Sequence, residues 1–296
     1  MNGRTKAHLA LLAANLIYGA NFSIAKIAMP GYIQPLGFIL LRVTFAFSLF
    51  YLFSKISGAG KVTDKNDHLR LFCCGLFGVA LNQMLFFEGL SRTSNINAAL
   101  MMTTSPILVM AGASIIHKER LSMSRLAGIG FGVAGAVSLI LMRKDVHGTA
   151  NWLGDLMVFI NAASYAVFMI IAKPLMKKYS PWLVIRWTFF YGLLFVVPFG
   201  YGQASIIEWH TFTPSVWMAT IYVIIGTTFF AYWFNTFGLQ HLSAAVVSFY
   251  IYLQPVFATL VSLLITHERV SVQQIIACVL IFTGVFLVNR PARSAN

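Results

Sequence analysis

The sequence predicts an all-α membrane fold: ten transmembrane helices arranged as two inverted five-helix repeats around a central cavity, with both termini cytoplasmic. Three observations predict it. The 296 residues are 58% hydrophobic and 10% charged, with a mean hydropathy of +0.77, whereas about 25% of the residues of a soluble domain are charged. Apolar runs of about 20 residues, enough to cross ~30 Å of hydrocarbon at 1.5 Å per residue, recur along the chain with short polar breaks. A shift of 149 residues aligns positions 82–140 with 231–289 without a gap, and self-similarity at a fixed offset marks a repeated structural unit.

The elements follow in order. Helices are required because lipid cannot satisfy exposed backbone groups. The first span, 8–29, follows Arg4 and Lys6 and runs past Met29, longer than the apolar core of a secretory leader and without a small-residue cleavage site, so it is expected to be a retained helix. Asn15, Tyr18 and Phe22 share one face of it at helical spacing. Spans at 35–54, 69–89, 96–116 and 123–142 complete the first half; they carry in turn Arg42; Asn82, Gln83 and Glu88; Thr103, Thr104 and Ser105 before Pro106; and Gly128, Gly130, Gly132 and Gly135. That glycine spacing suits close helix packing, within the chain or in a homodimer, and is not a nucleotide loop. The second half has spans at 152–172, 182–200, 214–237, 243–265 and 273–289. It presents Asp155, Asn161 and Tyr165 in the sixth, Tyr232 and Asn235 in the eighth, and Tyr250, Tyr252 and Gln254 before Pro255 in the ninth. The longest polar interruptions, Lys55 to Leu69 and Gly202 to Pro214, are too short to fold alone. The chain therefore divides into 1–145 and 146–296, one five-helix repeat each.

Orientation comes from the cations. With the N-terminus inside, Arg4, Lys6, Lys55, Lys61, Lys65 and Arg70 face the cytoplasm, as do Lys118, Arg120, Arg125, Lys173, Lys177, Lys178, Arg290 and Arg293. Only Arg92, Arg143, Lys144 and Arg269 fall outside. This bias places both termini in the cytoplasm and requires an even number of spans. The formal charge of +13 is then a topology signal scattered through short loops rather than a nucleic-acid face.

Within the repeat, Gly89-Leu90 meets Gly238-Leu239, Ser94 meets Ser243, Pro106 meets Pro255, Glu119-Arg120 meets Glu268-Arg269, Ser122 meets Ser271 and Gly135 meets Gly284. Earlier, Lys26 aligns with Lys173 and Arg42 with Arg186 at slightly different offsets, as drifting loop lengths produce. Five spans per half turn the second copy upside down, and two inverted units can rock about a site at the midplane.

The motifs that carry this repeat resemble the EamA-type ten-helix members of the drug/metabolite transporter superfamily. The first span reads LIYGANFSIAKIAM, the fourth and fifth TTSPILVMAGASIIHKERLSMSRLAGIGFGVAGAVSLIL, and the second copy YLQPVFATLVSLLITHERVSVQQIIACVLIFTGVFLV. The resemblance covers essentially the whole chain and implies two EamA domains, a central cavity and transport of metabolites or xenobiotics, commonly export. Ala277 departs from it where the first half has Gly128, which loosens one expected close contact. Glu88 departs from it where an uncharged residue is usual.

For the candidate site, Pro106 and Pro255 each remove an intrahelical bond and are expected to kink their helices near mid-membrane. The residues preceding them, with Tyr18, Asn82, Gln83, Thr103, Thr104, Tyr165, Tyr232, Asn235, Tyr252 and Gln254, are expected to line the cavity. The competing reading is structural: Ser and Thr satisfying local backbone, amides bonding between helices, tyrosines packing. Glu88 invites pairing with Arg42 at comparable depth, or proton coupling if burial raises its pKa. Lys26 and Lys173 can snorkel to opposite interfaces or contact anionic cargo. Glu119-Arg120 and Glu268-Arg269 read as structural clamps at helix junctions.

The functional expectation is a secondary transporter, exporting small metabolites such as amino acids or related amphiphiles by alternating access from a bacterial inner membrane, as a monomer or homodimer amid membrane lipid. No Walker motif, redox ligand set, HExxH or GxSxG occurs, and the seven histidines fall mostly in loops or at interfaces, so no cofactor, metal or catalytic residue is expected. Cys73, Cys74 and Cys278 sit in apolar runs without disulfide or zinc spacing. An intramembrane enzyme acting on a lipid-linked substrate and a non-transporting scaffold or sensor are the alternatives. Transport assays in liposomes separate them.

Overall fold

A computed structural model describes residues 3–58, 60–117, 122–141, 152–242 and 250–289. Among these the chain forms ten helical segments, a separate 3-10 turn at Trp209–Thr211 and no strands. They are α1 (Gly3–Ala28), α2 (Pro35–Ile56), α3 (Lys65–Arg92), α4 (Asn95–Met102 and Ser105–His117), α5 (Met123–Leu141), α6 (Trp152–Lys178), α7 (Pro181–Ser205), α8 (Pro214–Ile221, Tyr222–Phe230 and Ala231–His241), α9 (Ile251–Leu253 and Gln254–Ile265) and α10 (Val272–Asn289). The first eight are long and apolar enough to cross a bilayer; the described parts of α9 and α10 are shorter apolar helices. Several helices extend beyond the predicted spans because their ends reach polar partners. Asp64 caps α3 by accepting from the Asn66 amide at 2.9 Å. That bond, aided by Lys178, holds the Asp64 carboxyl below its usual range. Ser180 and Thr213 cap α7 and α8 in the same manner, each satisfying an otherwise orphaned amide.

Two pairs of equivalent helices run antiparallel. In α2 and α7, Gly37 abuts Gln203 while Phe50 and Phe53 meet Trp182. In α5 and α10, Gly128 abuts Gly284 and Val288, and Gly135 meets Ala277 and Ile281. A Cβ on Gly128 would lie 2.7 Å from the Gly284 carbonyl oxygen, so this seam requires glycine. Gly128, Gly132 and Gly135 of the glycine stripe are thus used inside the chain, while a Cβ on Gly130 would meet nothing within 4 Å. Ala277 does not loosen it: its carbonyl oxygen would sit 3.0 Å from a Cβ on Gly135.

The remaining packing repeats in the same way. Helix α6 runs antiparallel to α3, with Asp155 at Thr93 and Lys178 at Asp67, and parallel to α4. Helix α1 runs antiparallel to α8, with Gly3 at His241 and Leu11 at Gly238, and parallel to α9, with His8 at Tyr250 and Ser23 at Ser262. Exchanging each helix for the one five places along reproduces this pattern.

Four interruptions obey the same exchange. A π-helical turn occupies Leu76–Ala80 in α3 and another Tyr222–Phe230 in α8; the 149-residue offset maps the first inside the second. Helix α4 breaks at Thr103 and Thr104, and α9 begins with a 3-10 turn at Ile251–Leu253. Pro106 and Pro255 do not kink continuous helices. Each sits at the start of a resumed one, where its missing amide costs nothing.

Candidate functional site

The interrupted helices bring most of the expected residues into the bundle, where many are bonded for structure and Gln83, Ser105 and Asn161 each keep one buried side-chain atom without a hydrogen-bond partner. Asn82 and Asn161 lock α3 to α6 reciprocally: Asn82 Nδ2 donates to the Asn161 carbonyl at 3.3 Å, and Asn161 Nδ2 donates to the Asn82 carbonyl at 2.5 Å. Ser164 donates to the Phe77 carbonyl at 2.6 Å, using a group in the π turn. Thr103 and Thr104 are buried and turn their hydroxyls onto the Leu100 and Met101 carbonyls at 2.6 and 2.7 Å. Asn235 donates to the Ala231 carbonyl at 2.8 Å, and Gln254 donates from α9 to Asn15 Oδ1 of α1 at 3.0 Å. For these residues the structural alternative describes the bonds present.

Tyr18 is half-buried on α1, Tyr165 lies 6.0 Å from the Phe168 ring, and Tyr252 lies 6.1 Å from Phe282. The Tyr232 side chain is outside the described residues. Nine buried side-chain atoms among the described residues have no hydrogen-bond partner, and four of them are Asn21 Oδ1, Gln83 Oε1, Ser105 Oγ and Asn161 Oδ1. These four come from α1, α3, α4 and α6. The reciprocal Asn82–Asn161 bonds place Gln83 beside Asn161, and Phe22 meets Phe86 at 5.5 Å between ring centroids, which brings α1 to the same part of α3. Of the four, Gln83 and Ser105 are residues the sequence marks as cavity-lining; Asn161 it places only on a helical face, and Asn21 it does not single out.

The expected Glu88–Arg42 pair is replaced by a local one. Glu88 Oε2 accepts from Arg92 at 2.9 Å, one turn along α3. Arg42 donates to Thr228 Oγ1 of α8 at 3.3 Å and lies over the Phe87 ring at 5.6 Å. An i,i+4 pair needs no tertiary geometry to form, which is why it prevails.

The densest polar cluster was not anticipated. At the α3–α4 junction, Thr93 donates to Asp155 Oδ1, Asn97 donates to both Asp155 oxygens at 3.3 and 3.4 Å, and Gln274 donates to Asn97 Oδ1 at 2.8 Å and Ser94 Oγ at 3.3 Å. Lys26 does not simply snorkel: its ammonium donates to the Thr93 carbonyl at 2.5 Å. The Asn95 amide donates to Glu268 Oε2 at 3.1 Å, and its side chain donates to Ser23 at 3.1 Å and Thr266 at 3.4 Å. Asp155 is wholly buried and Asn95 is 1% exposed. The signal available in the sequence was the polar run Arg92–Asn97 opening an apolar span, facing Asp155 at the start of another.

Two clefts lie elsewhere. One, of about 200 Å³, is bounded by Tyr32, Gln34, Gln203 and Glu208 among others; the second, of about 140 Å³, lies between Phe47, Tyr51, Arg186, Trp187 and Phe190. Neither is lined by any of the residues expected to form the cavity.

Comparison with known proteins agrees with this architecture. Residues 5–141 and 152–290 each match the model of the EamA-like transporter family. Relatives include a Bacillus subtilis protein described as uncharacterized transporter YyaM, 25% identical over 284 residues covering 94% of this chain and 92% of that one. An Archaeoglobus fulgidus protein described as an uncharacterized transporter is 25% identical over 288 residues, covering 96% and 97%. WAT1-related protein At3g53210 of Arabidopsis thaliana is 22% identical over 318 residues, covering 96% and 85%. One crystal structure superposes with a TM-score of 0.64 at 20% identity, over 98% of this chain and 99% of the other.

Proposed function

Because the chain belongs to the EamA-like transporter family, we propose that this integral membrane protein is a secondary transporter that moves small organic metabolites by alternating access between two inverted five-helix repeats. The observation that carries the reading is the matched set of interruptions, π turns in α3 and α8 and breaks before Pro106 and Pro255, in helices that pack alike in the two halves, α3 and α8 antiparallel and α4 and α9 parallel to their partners. Irregular backbone at membrane depth survives only where it is buried in protein or lines an aqueous space, and π turns cluster at functional sites. In this reading there are ten spans, and the distribution of Lys and Arg places both termini in the cytoplasm and the α3–α4 junction on the outer face. The bacterial inner membrane suits such a chain.

Cargo would meet the unpartnered atoms of Asn21, Gln83, Ser105 and Asn161. Leaving such a buried group unpaired costs about 1–3 kcal/mol, and three of the four atoms are amide oxygens, which accept. A small molecule presenting N–H or O–H donors on an apolar frame, such as an amino acid or related amphiphile, would satisfy them, and export is the direction favoured. Proteoliposomes loaded with amino acids and amphiphilic amines provide the test. The expected result is counterflow of at least one compound, reduced by Gln83→Leu; absence of flux across a broad panel, with folded protein in the bilayer, overturns it.

A further inference from the structure

The hydrogen-bonding side chains of Thr93, Asn95, Asn97 and Ser23 have no polar counterparts in the sequence of the other half. With the 149-residue offset, Thr93, Asn95 and Asn97 correspond to Leu242, Ala244 and Val246, and with the offset that aligns Lys26 with Lys173, Ser23 corresponds to Ile170. None of these four counterparts has a side chain able to donate or accept a hydrogen bond. Lys173 is itself exposed, unlike Lys26.

The bonds also differ in what they join. At the α3–α4 end they run from α1, α9 and α10 to the α3–α4 junction, through Lys26 to Thr93, Ser23, Thr266 and Glu268 to Asn95, and Gln274 to Asn97. At the opposite end, among the described residues, side-chain bonds join α3 to α6 and α7, α2 to α7, and α1 to α9. They lie within those packed groups. The α3–α4 end is therefore stitched across the middle of the bundle, while the bonds described at the opposite end run along its sides.

Resting on the transporter reading, we propose that Asn95 and Asn97 latch the outer end shut, with Asp155 and Gln274 as positioning residues that hold the Asn97 amide. The unliganded carrier consequently rests closed to the outside and opens first to the cytoplasm. Such asymmetry biases a two-state equilibrium without altering either site. Hydrogen bonds buried in a low-dielectric seam are directional and strengthened by their surroundings, and parting them leaves polar groups unpaired.

The test reads accessibility and needs no knowledge of the cargo. A single reporter, Gln83→Cys, is placed in a chain carrying Cys73→Ala, Cys74→Ala and Cys278→Ala, and is labelled with a membrane-impermeant maleimide in right-side-out and inverted vesicles. The reporter is expected to react about tenfold faster from the cytoplasmic side, and Asn95→Ala with Asn97→Val, the residues of the opposite end, is expected to reduce that ratio about tenfold. Gln274→Leu removes two bonds to the junction and one from the Ser271 amide and should reduce it about threefold, which keeps the test informative where the double variant does not assemble. Equal labelling from both sides in the parent, faster labelling from outside, no labelling from either side, or a ratio that neither variant changes overturns the latch. Counterflow measured on vesicles of the cysteine-free chain with Gln83 intact separates the two ideas: flux without asymmetry in the reporter chain refutes the latch alone, and asymmetry without flux refutes the transporter reading alone.

Discussion

In α4 the interruption is satisfied from within: Thr103 and Thr104 return their hydroxyls to carbonyls three residues earlier, and nothing outside the helix is required. At the equivalent register of α9, Tyr252 stands in place of Thr103 and Gln254 in place of Ser105, and Gln254 reaches across to Asn15 on α1. The same backbone defect, set by a proline at the same offset, is thus self-contained in one half and dependent on a neighbouring helix in the other. Duplication preserved the position of the break while its chemistry diverged, which makes the break in α9 sensitive to what α1 does and leaves the break in α4 indifferent to it.

The comparison would break most visibly at Gln254. Gln254→Leu strands Asn15 Oδ1 and should cost about 1–3 kcal/mol, seen as a fall of several degrees in thermal unfolding in detergent; Asn15→Leu in the same chain should recover part of it, giving a coupling energy of about 1 kcal/mol. Thr103→Val should cost about 1 kcal/mol and combine additively with Asn15→Leu, to within about 0.5 kcal/mol. Coupling there as large as for Gln254 would erase the distinction between the breaks. Ser105→Ala removes a buried hydroxyl that bonds nothing, so unfolding should shift by less than about 0.5 kcal/mol while solute flux falls severalfold; unchanged flux would remove Ser105 from the cargo site. The smallest effect is expected at Glu88, which stands where the second half has Phe237. Glu88→Gln loses a partly exposed pair worth about 0–1 kcal/mol, and the pH profile of flux should keep its shape. A displaced profile would restore Glu88 as a proton carrier.

Much of the architecture was legible because membrane helices announce themselves by length and composition, and because Pro106 and Pro255 carry the repeat at one offset. The π turns were not: Leu76–Ala80 contains nothing that distinguishes an i→i+5 bond from an i→i+4 bond in advance, and only packing against Ser164 and Phe168 reveals it. Pairing Glu88 with Arg42 compared depths in the membrane and overlooked Arg92, one turn away. The junction network stayed hidden for a different reason. Asn95, Asn97 and Gln274 look like ordinary loop polarity until α1, α6, α9 and α10 converge on them.

One consequence concerns α3 and α6. They are fastened to each other at both tips, by Thr93 and Asn97 on Asp155 at one and by Lys178 and Tyr179 on Asp67 at the other, with the Asn82–Asn161 clasp between. A spar tied at three points can swing but has little freedom to bow. The strain of any large excursion then gathers in the few turns whose ladder of backbone bonds is already irregular, much as a folded sheet creases again along its old line.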